Sequence, residues 1–174
     1  VSEEATSSTS TSTTIVKGTV TLASDVVASG SENSALYITC RPDQPDNVPT
    51  AILSGTRGKA PPVLAARLPN PTFPLDFALT APRDLTPEGA SFSDDGTSTS
   101  TTTTPPFWWN KDDLIVSARW DSDGVAATRS PEDLVGRGLW KSQGGGGGDA
   151  TVEVQLTGRG TFGKFATGGG GSKK

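Results

Sequence analysis

The apolar residues of this chain repeat with a period of two, in short segments cut by Gly and Pro, and they never settle into a helical period. In IVKGTVTL, Val16, Gly18, Val20 and Leu22 share one face, and Lys17, Thr19 and Thr21 share the other. That pattern makes a half-buried strand. The same alternation carries Leu36, Ile38 and Cys40 in ALYITCRP, and Leu114, Val116, Ala118 and Trp120 against Ile115, Ser117 and Arg119 in DDLIVSARWDSDG. It returns in TVEVQLTG through Val152, Val154 and Leu156. FPLDFALT puts Phe73, Leu75, Phe77 and Leu79 on one side, and Pro74, which cannot donate to a ladder, makes this an edge strand. TAILSG and PVLAARL, short apolar runs around the turn-rich GTRGKAPP, form a further pair. The single helical turn expected is SPEDLVG, with Ser130 as cap and Pro131 at the first position.

Six or seven short strands with frequent turn signals predict an all-β fold, an antiparallel sandwich or Greek-key-like barrel with long low-complexity loops. At 174 residues the chain suits one domain. Residues 1–14 read as a flexible Ser/Thr-rich arm, 15–166 as the β-domain with insertions at 94–106 and 143–149, and 167–174 as a Gly-rich basic tail. Tracts of Ser, Thr and Gly offer little apolar area to offset their ordering entropy.

Composition removes most chemistry. There is no histidine, so the usual general base, the Ser-His and Cys-His nucleophile pairs and histidine-ligated metals are excluded. Cys40 is the one cysteine, which rules out an intrachain disulfide, a CxxC motif and a cysteine-built metal site; its place on the apolar side of a strand suits a small buried hydrophobe. Lys and Arg total 15 against 19 Asp and Glu, a net charge of -4 that offers no global attraction to nucleic acid or anionic lipid. No apolar run approaches the roughly 20 residues of a membrane span. The chain has no methionine, even at position 1, which suits a product matured by removal of a targeting peptide, or else a fragment.

The remaining motifs are weak. GTRGKAPP has two residues between its glycines where a phosphate-cradling loop needs four, and Ala60 stands where that loop needs Ser or Thr. Asp121, Asp123 and Gly124 lack the other ligands of a calcium loop and read as a turn. Asp94-Asp95 and Asp112-Asp113 are neighbours that point to opposite faces of an extended chain, so neither pair forms a carboxylate dyad. No catalytic, cofactor-binding or metal-binding residue is assigned, and the expected role is non-catalytic. The candidate interface is aromatic and basic: Phe107, Trp108, Trp109, Arg137, Trp140, Arg159 and Lys164. In an extended segment Trp108 and Trp109 face opposite ways, one into the core and one outward, either buried under loops as a second layer or exposed as a hot-spot anchor.

VSARWDSDGVAATRSPEDLVG, residues 116–136, resembles the C-terminal soluble domain of cytochrome c-type biogenesis proteins of the CcmI/CycH type. Val116, Ala118 and Arg119 match that family's strand, Ser122 and Gly124 its turn, and Asp133, Leu134 and Gly136 its closing segment, while Glu132 replaces the family glycine. GTVTL, LYITCRP, AIL and PLDFAL recur upstream in the family's order. The resemblance implies a small β-sandwich that works by protein contact, without catalytic residues. The family's helical repeat region and membrane anchor have no counterpart in these residues. With the Thr and Gly insertions, this favours an accessory subunit on an organellar membrane complex, best exemplified by the photosystem I core subunits of a diatom-like alga. It would lie peripherally on the chloroplast thylakoid, on the stromal rather than the lumenal side, touching the membrane only through partner proteins and binding no nucleic acid. An apocytochrome-binding assembly factor and a secreted carbohydrate-binding module are the alternatives.

Overall fold

The computed structural model describes residues 12–29, 32–44, 48–53, 60–90, 107–142 and 150–158. Seven strands form one sheet: β1 (Thr13–Leu22), β2 (Ala35–Pro42), β3 (Leu64–Pro69), β4 (Leu75–Ala81), β5 (Leu114–Asp121), β6 (Leu134–Trp140) and β7 (Thr151–Gly158). Their order is β3-β2-β5-β6-β7-β1-β4, so the two edge strands are β3 and β4. These edges meet at one end, where Leu64 bridges Leu85 and the Ala65 N–H donates to the Asp84 carbonyl at 2.9 Å. The sheet is therefore rolled almost into a barrel, in agreement with the all-β expectation. It is mixed rather than wholly antiparallel, because β7 inserts beside β1 in parallel, with Val152, Val154 and Leu156 opposite Gly18, Val20 and Leu22.

That register follows from the alternation: the inward sets of both strands coincide, so one core receives both. Val16, Val20, Leu36, Ile38, Cys40, Leu114, Val116, Val154 and Leu156 are all wholly shielded from solvent. The rolling needs close approach at β6. A Cβ on Gly136 would meet the Gln155 carbonyl oxygen, and one on Gly138 would lie 2.6 Å from both the Glu153 carbonyl oxygen and Val152 Cγ2. Two inward glycines thus let β7 pass over β6 where any side chain would hold it off.

Three expectations are corrected. TAILSG is not a strand: Thr50–Leu53 is a short helix, α1, whose Ile52 and Leu53 N–H groups donate to the Pro49 carbonyl. SPEDLVG is not a helical turn, because its second half begins β6 after a turn in which the Asp133 carboxylate accepts the Ser130 N–H at 3.1 Å. Strand β1 starts at Thr13, inside the segment assigned to the arm, with Thr13 opposite Ala81. Pro74 does precede an edge strand, since β4 pairs with β1 alone. Among the described residues no helix is long and apolar enough to cross a membrane.

Candidate functional site

The expected aromatic anchors are in the core. Trp108 and Trp109 are 4% and 2% exposed, and Phe107 and Trp140 are buried with them. The segment is a turn rather than an extended strand, with the Asn110 N–H donating to the Phe107 carbonyl and the Asp112 N–H to the Trp109 carbonyl. The rule that neighbours face opposite ways therefore does not apply, and both rings point inward. Phe107 and Trp109 stack with centroids 5.4 Å apart and planes 4° from parallel.

Their polar ends have a shared task. Trp108 Nε1–H donates to the Glu88 carbonyl at 2.9 Å, and Trp109 Nε1–H to the Gly89 carbonyl at 2.8 Å. Trp140 Nε1–H donates to the Ala150 carbonyl at 3.1 Å. The first two bonds join the chain just before residue 91 to the chain just after residue 106; the third joins the chain before residue 143 to the chain at 150. Each indole pins the base of one expected insertion, whose own residues lie outside the described ones. Asp113 ties the start of β5 to the end of β6 by accepting from Lys141 Nζ at 2.8 Å and from the Ser142 N–H at 2.9 Å. The Lys141 and Ser142 hydrogen bonds hold its carboxyl below the usual carboxylate range.

Arginines remain on the outer surface of the sheet. On the outer face of β3, β2, β5 and β6 the register aligns two cross-strand rows. One is Ala65–Thr39–Ser117–Arg137; the other is Arg67–Tyr37–Arg119–Val135. The guanidinium carbons of Arg119 and Arg67 lie 5.3 and 5.9 Å from the Tyr37 ring centroid, on cation–π terms. The β5–β6 loop folds over one side of this face. Tyr37 Oη–H donates to the Gly124 carbonyl at 2.7 Å, and Arg119 Nη2–H donates to the Ala126 carbonyl at 3.0 Å. Gly124 has φ 70° and no room for a Cβ against the Asn33 carbonyl, so glycine is required at this contact.

Between loop and sheet lies a groove of about 630 Å³, lined by the β2, β5 and β6 members of both rows and by Arg129. Arg119 is held by Asp121, whose Oδ2 lies 2.7 Å from Nη2, and the Arg119 Nε is buried without an acceptor. Burial, a hydrogen bond with Asp123 and the charge of Asp133 raise the Asp121 carboxyl above its ordinary value, while Arg119 pulls it down. Arg129 and Arg137 are exposed, and among the described residues neither has a carboxylate partner. Arg137 is thus the expected interface residue that stays on the surface; Arg159 and Lys164 lie outside the described residues. Sequence reasoning missed Tyr37, Arg67 and Arg129. The signal was available in the outward positions of β2 and β3, once those strands are paired.

Cys40 is fully buried, and burial pushes its thiol up to about 12, so it is an inert core residue at neutral pH. Among the described residues no group of His, Cys, Asp or Glu side chains is placed to hold a metal ion. No family model matches the chain, and neither a curated protein nor a solved structure is significantly similar to it.

Proposed function

We propose that this protein is a non-catalytic accessory subunit that docks, through its arginine-bearing sheet face, on an acidic surface of a larger organellar membrane complex, with photosystem I of a diatom-like alga as the leading candidate. The observation that supports this reading is the one-sided charge. A chain of net charge -4 places Arg67 and Arg137 on one outer sheet face and Arg129 at its margin, none with a carboxylate partner among the described residues, while Arg119 between them is paired with Asp121. Such a patch on an acidic protein orients it toward one partner surface and steers its approach. The tryptophans contribute by fixing the scaffold rather than by touching the partner. The carbohydrate-binding alternative loses the exposed ring on which it relied, because all four tryptophans are buried.

The test is a native pull-down with mass spectrometry. The chain should bring down a pigmented membrane complex and be released as ionic strength rises, since exposed charge pairs are screened over roughly 8–10 Å at physiological salt. Recovery of an apocytochrome without pigment would favour the assembly-factor reading, and recovery of no partner would refute docking.

A further inference from the structure

We propose that the groove over β2, β5 and β6 binds an extended acidic peptide segment whose carboxylates alternate with small residues. The proposal builds on the docking reading and specifies what the partner presents. Its first support is charge. Arg137 and Arg129 are exposed without carboxylate partners among the described residues, and Arg119, although paired with Asp121, lines the same groove. A guanidinium fork matches a carboxylate better than any other side chain does.

The second support is spacing. Arg137 belongs to the row of Thr39 and Ser117, and Arg119 to the next row along the strands. Adjacent same-face rows are two residues apart, about 6.8 Å. Alternate residues of an extended peptide recur at that same interval, so carboxylates at i and i+2 fall over successive rows. A single phosphate is a poorer fit, because the guanidiniums are spread over two rows and a loop rather than gathered at one point. The Ser117 hydroxyl lies beside Arg137 and the Thr39 hydroxyl one strand beyond it as further donors, and a groove of about 630 Å³ holds a segment of a few small residues.

The experiment titrates the full chain, by calorimetry, with an acetylated octapeptide carrying Asp at alternate positions among Gly and Ala. A second peptide has the same composition with its Asp residues at positions 1, 4, 5 and 8, so that no two stand two apart, and inorganic phosphate is the third ligand. The alternating peptide should bind at least about fivefold more tightly than its isomer, because only the alternating order sets carboxylates on one face at the spacing of the rows. R129E/R137E should weaken it at least tenfold while leaving circular dichroism and the unfolding midpoint unchanged. Equal affinity of the two peptides, tighter binding of phosphate than of the alternating peptide, or an unaffected R129E/R137E chain would each overturn the assignment. The same variant, added to the complex recovered in the pull-down, keeps the two readings separate. Rebinding by the variant overturns the groove as the docking site and leaves docking intact. A wild-type chain that binds no complex refutes docking, and the peptide titration still decides the groove.

Discussion

Trp109→Phe separates a core pin from a surface anchor. In the folded chain this indole is 2% exposed, stacks on Phe107 and donates to the Gly89 carbonyl at 2.8 Å. Phenylalanine keeps an aromatic ring for the stack but removes the donor, which leaves a buried carbonyl unsatisfied at a cost of about 1–3 kcal/mol. The smaller ring adds a partial cavity, a loss of about 1 kcal/mol on the scale of methylene-sized deletions. Together these amount to roughly 2–4 kcal/mol, which a small domain shows as a fall of about 1–2 M in the urea midpoint. Trp109→Ala should cost more, about 3–5 kcal/mol for the cavity alone. The assay is urea unfolding followed by far-ultraviolet circular dichroism, with tryptophan emission and acrylamide quenching of the native wild type. All four indoles should emit at short wavelength and resist quenching. A Trp109→Phe midpoint within error of wild type, or emission as quenchable as a free indole, would refute the assignment of this ring to the core.

Other expectations follow from the same contacts. Gly138→Ala puts a methyl 2.6 Å from the Glu153 carbonyl oxygen and from Val152 Cγ2, so it should destabilise the barrel by about 1–3 kcal/mol in urea titrations. Cys40 should not react with a thiol reagent in the native protein at neutral pH and should react fully in denaturant, given its burial and raised pKa. Asp84 has a pH signature. Burial pushes its carboxyl up, but hydrogen bonds from Arg83 and the Thr80 N–H, with the Arg83 charge, bring it below the ordinary value. A depressed folded pKa contributes stability above the unfolded carboxylate range that is lost as pH falls through the folded value. The gap between wild type and Asp84→Asn in urea midpoint should therefore narrow toward low pH. Asp121, raised instead of lowered, has the opposite sign, and Asp121→Asn should abolish a loss of stability that accompanies rising pH across the upper carboxylate range.

Much of the barrel was legible because a half-buried strand writes its two faces into sequence. Val16 to Leu22, Leu36 to Cys40, Leu114 to Trp120 and Val152 to Leu156 each present inward the residues that alternation assigns there. Strand β6 was hidden because its inward positions include Gly136 and Gly138, which leave no apolar mark. TAIL misled for the converse reason: its apolar run is too short for periodicity to separate a helical turn from a strand. The parallel pairing of β1 with β7 was out of reach, since strand faces fix which way side chains point but not which strands are neighbours. For the same reason the arginine groove could not be seen. Its residues come from strands and a loop far apart in sequence, and only the register sets Arg67, Tyr37, Arg119 and Val135 in one row.

The tryptophans show how this small barrel can carry two long low-complexity tracts. A loop closed by nothing but its own strands transmits its length to the register, whereas a loop pinned at its base does not. Trp108 and Trp109 join the chain after residue 106 to Glu88 and Gly89, and Trp140 joins the chain before 143 to Ala150. Beyond such a closure, each doubling of loop length costs only about 0.6 kcal/mol. Replacing residues 92–105 with a six-residue Gly-Ser linker should therefore shift the unfolding midpoint by no more than a few degrees in a thermal scan. The same replacement in a Trp108→Phe, Trp109→Phe background should restore little of the lost stability, since the bonds that closed the loop are already gone. A collapse of the fold on shortening in the wild-type background would mean that the insertion, and not the indoles, holds this end of the barrel together.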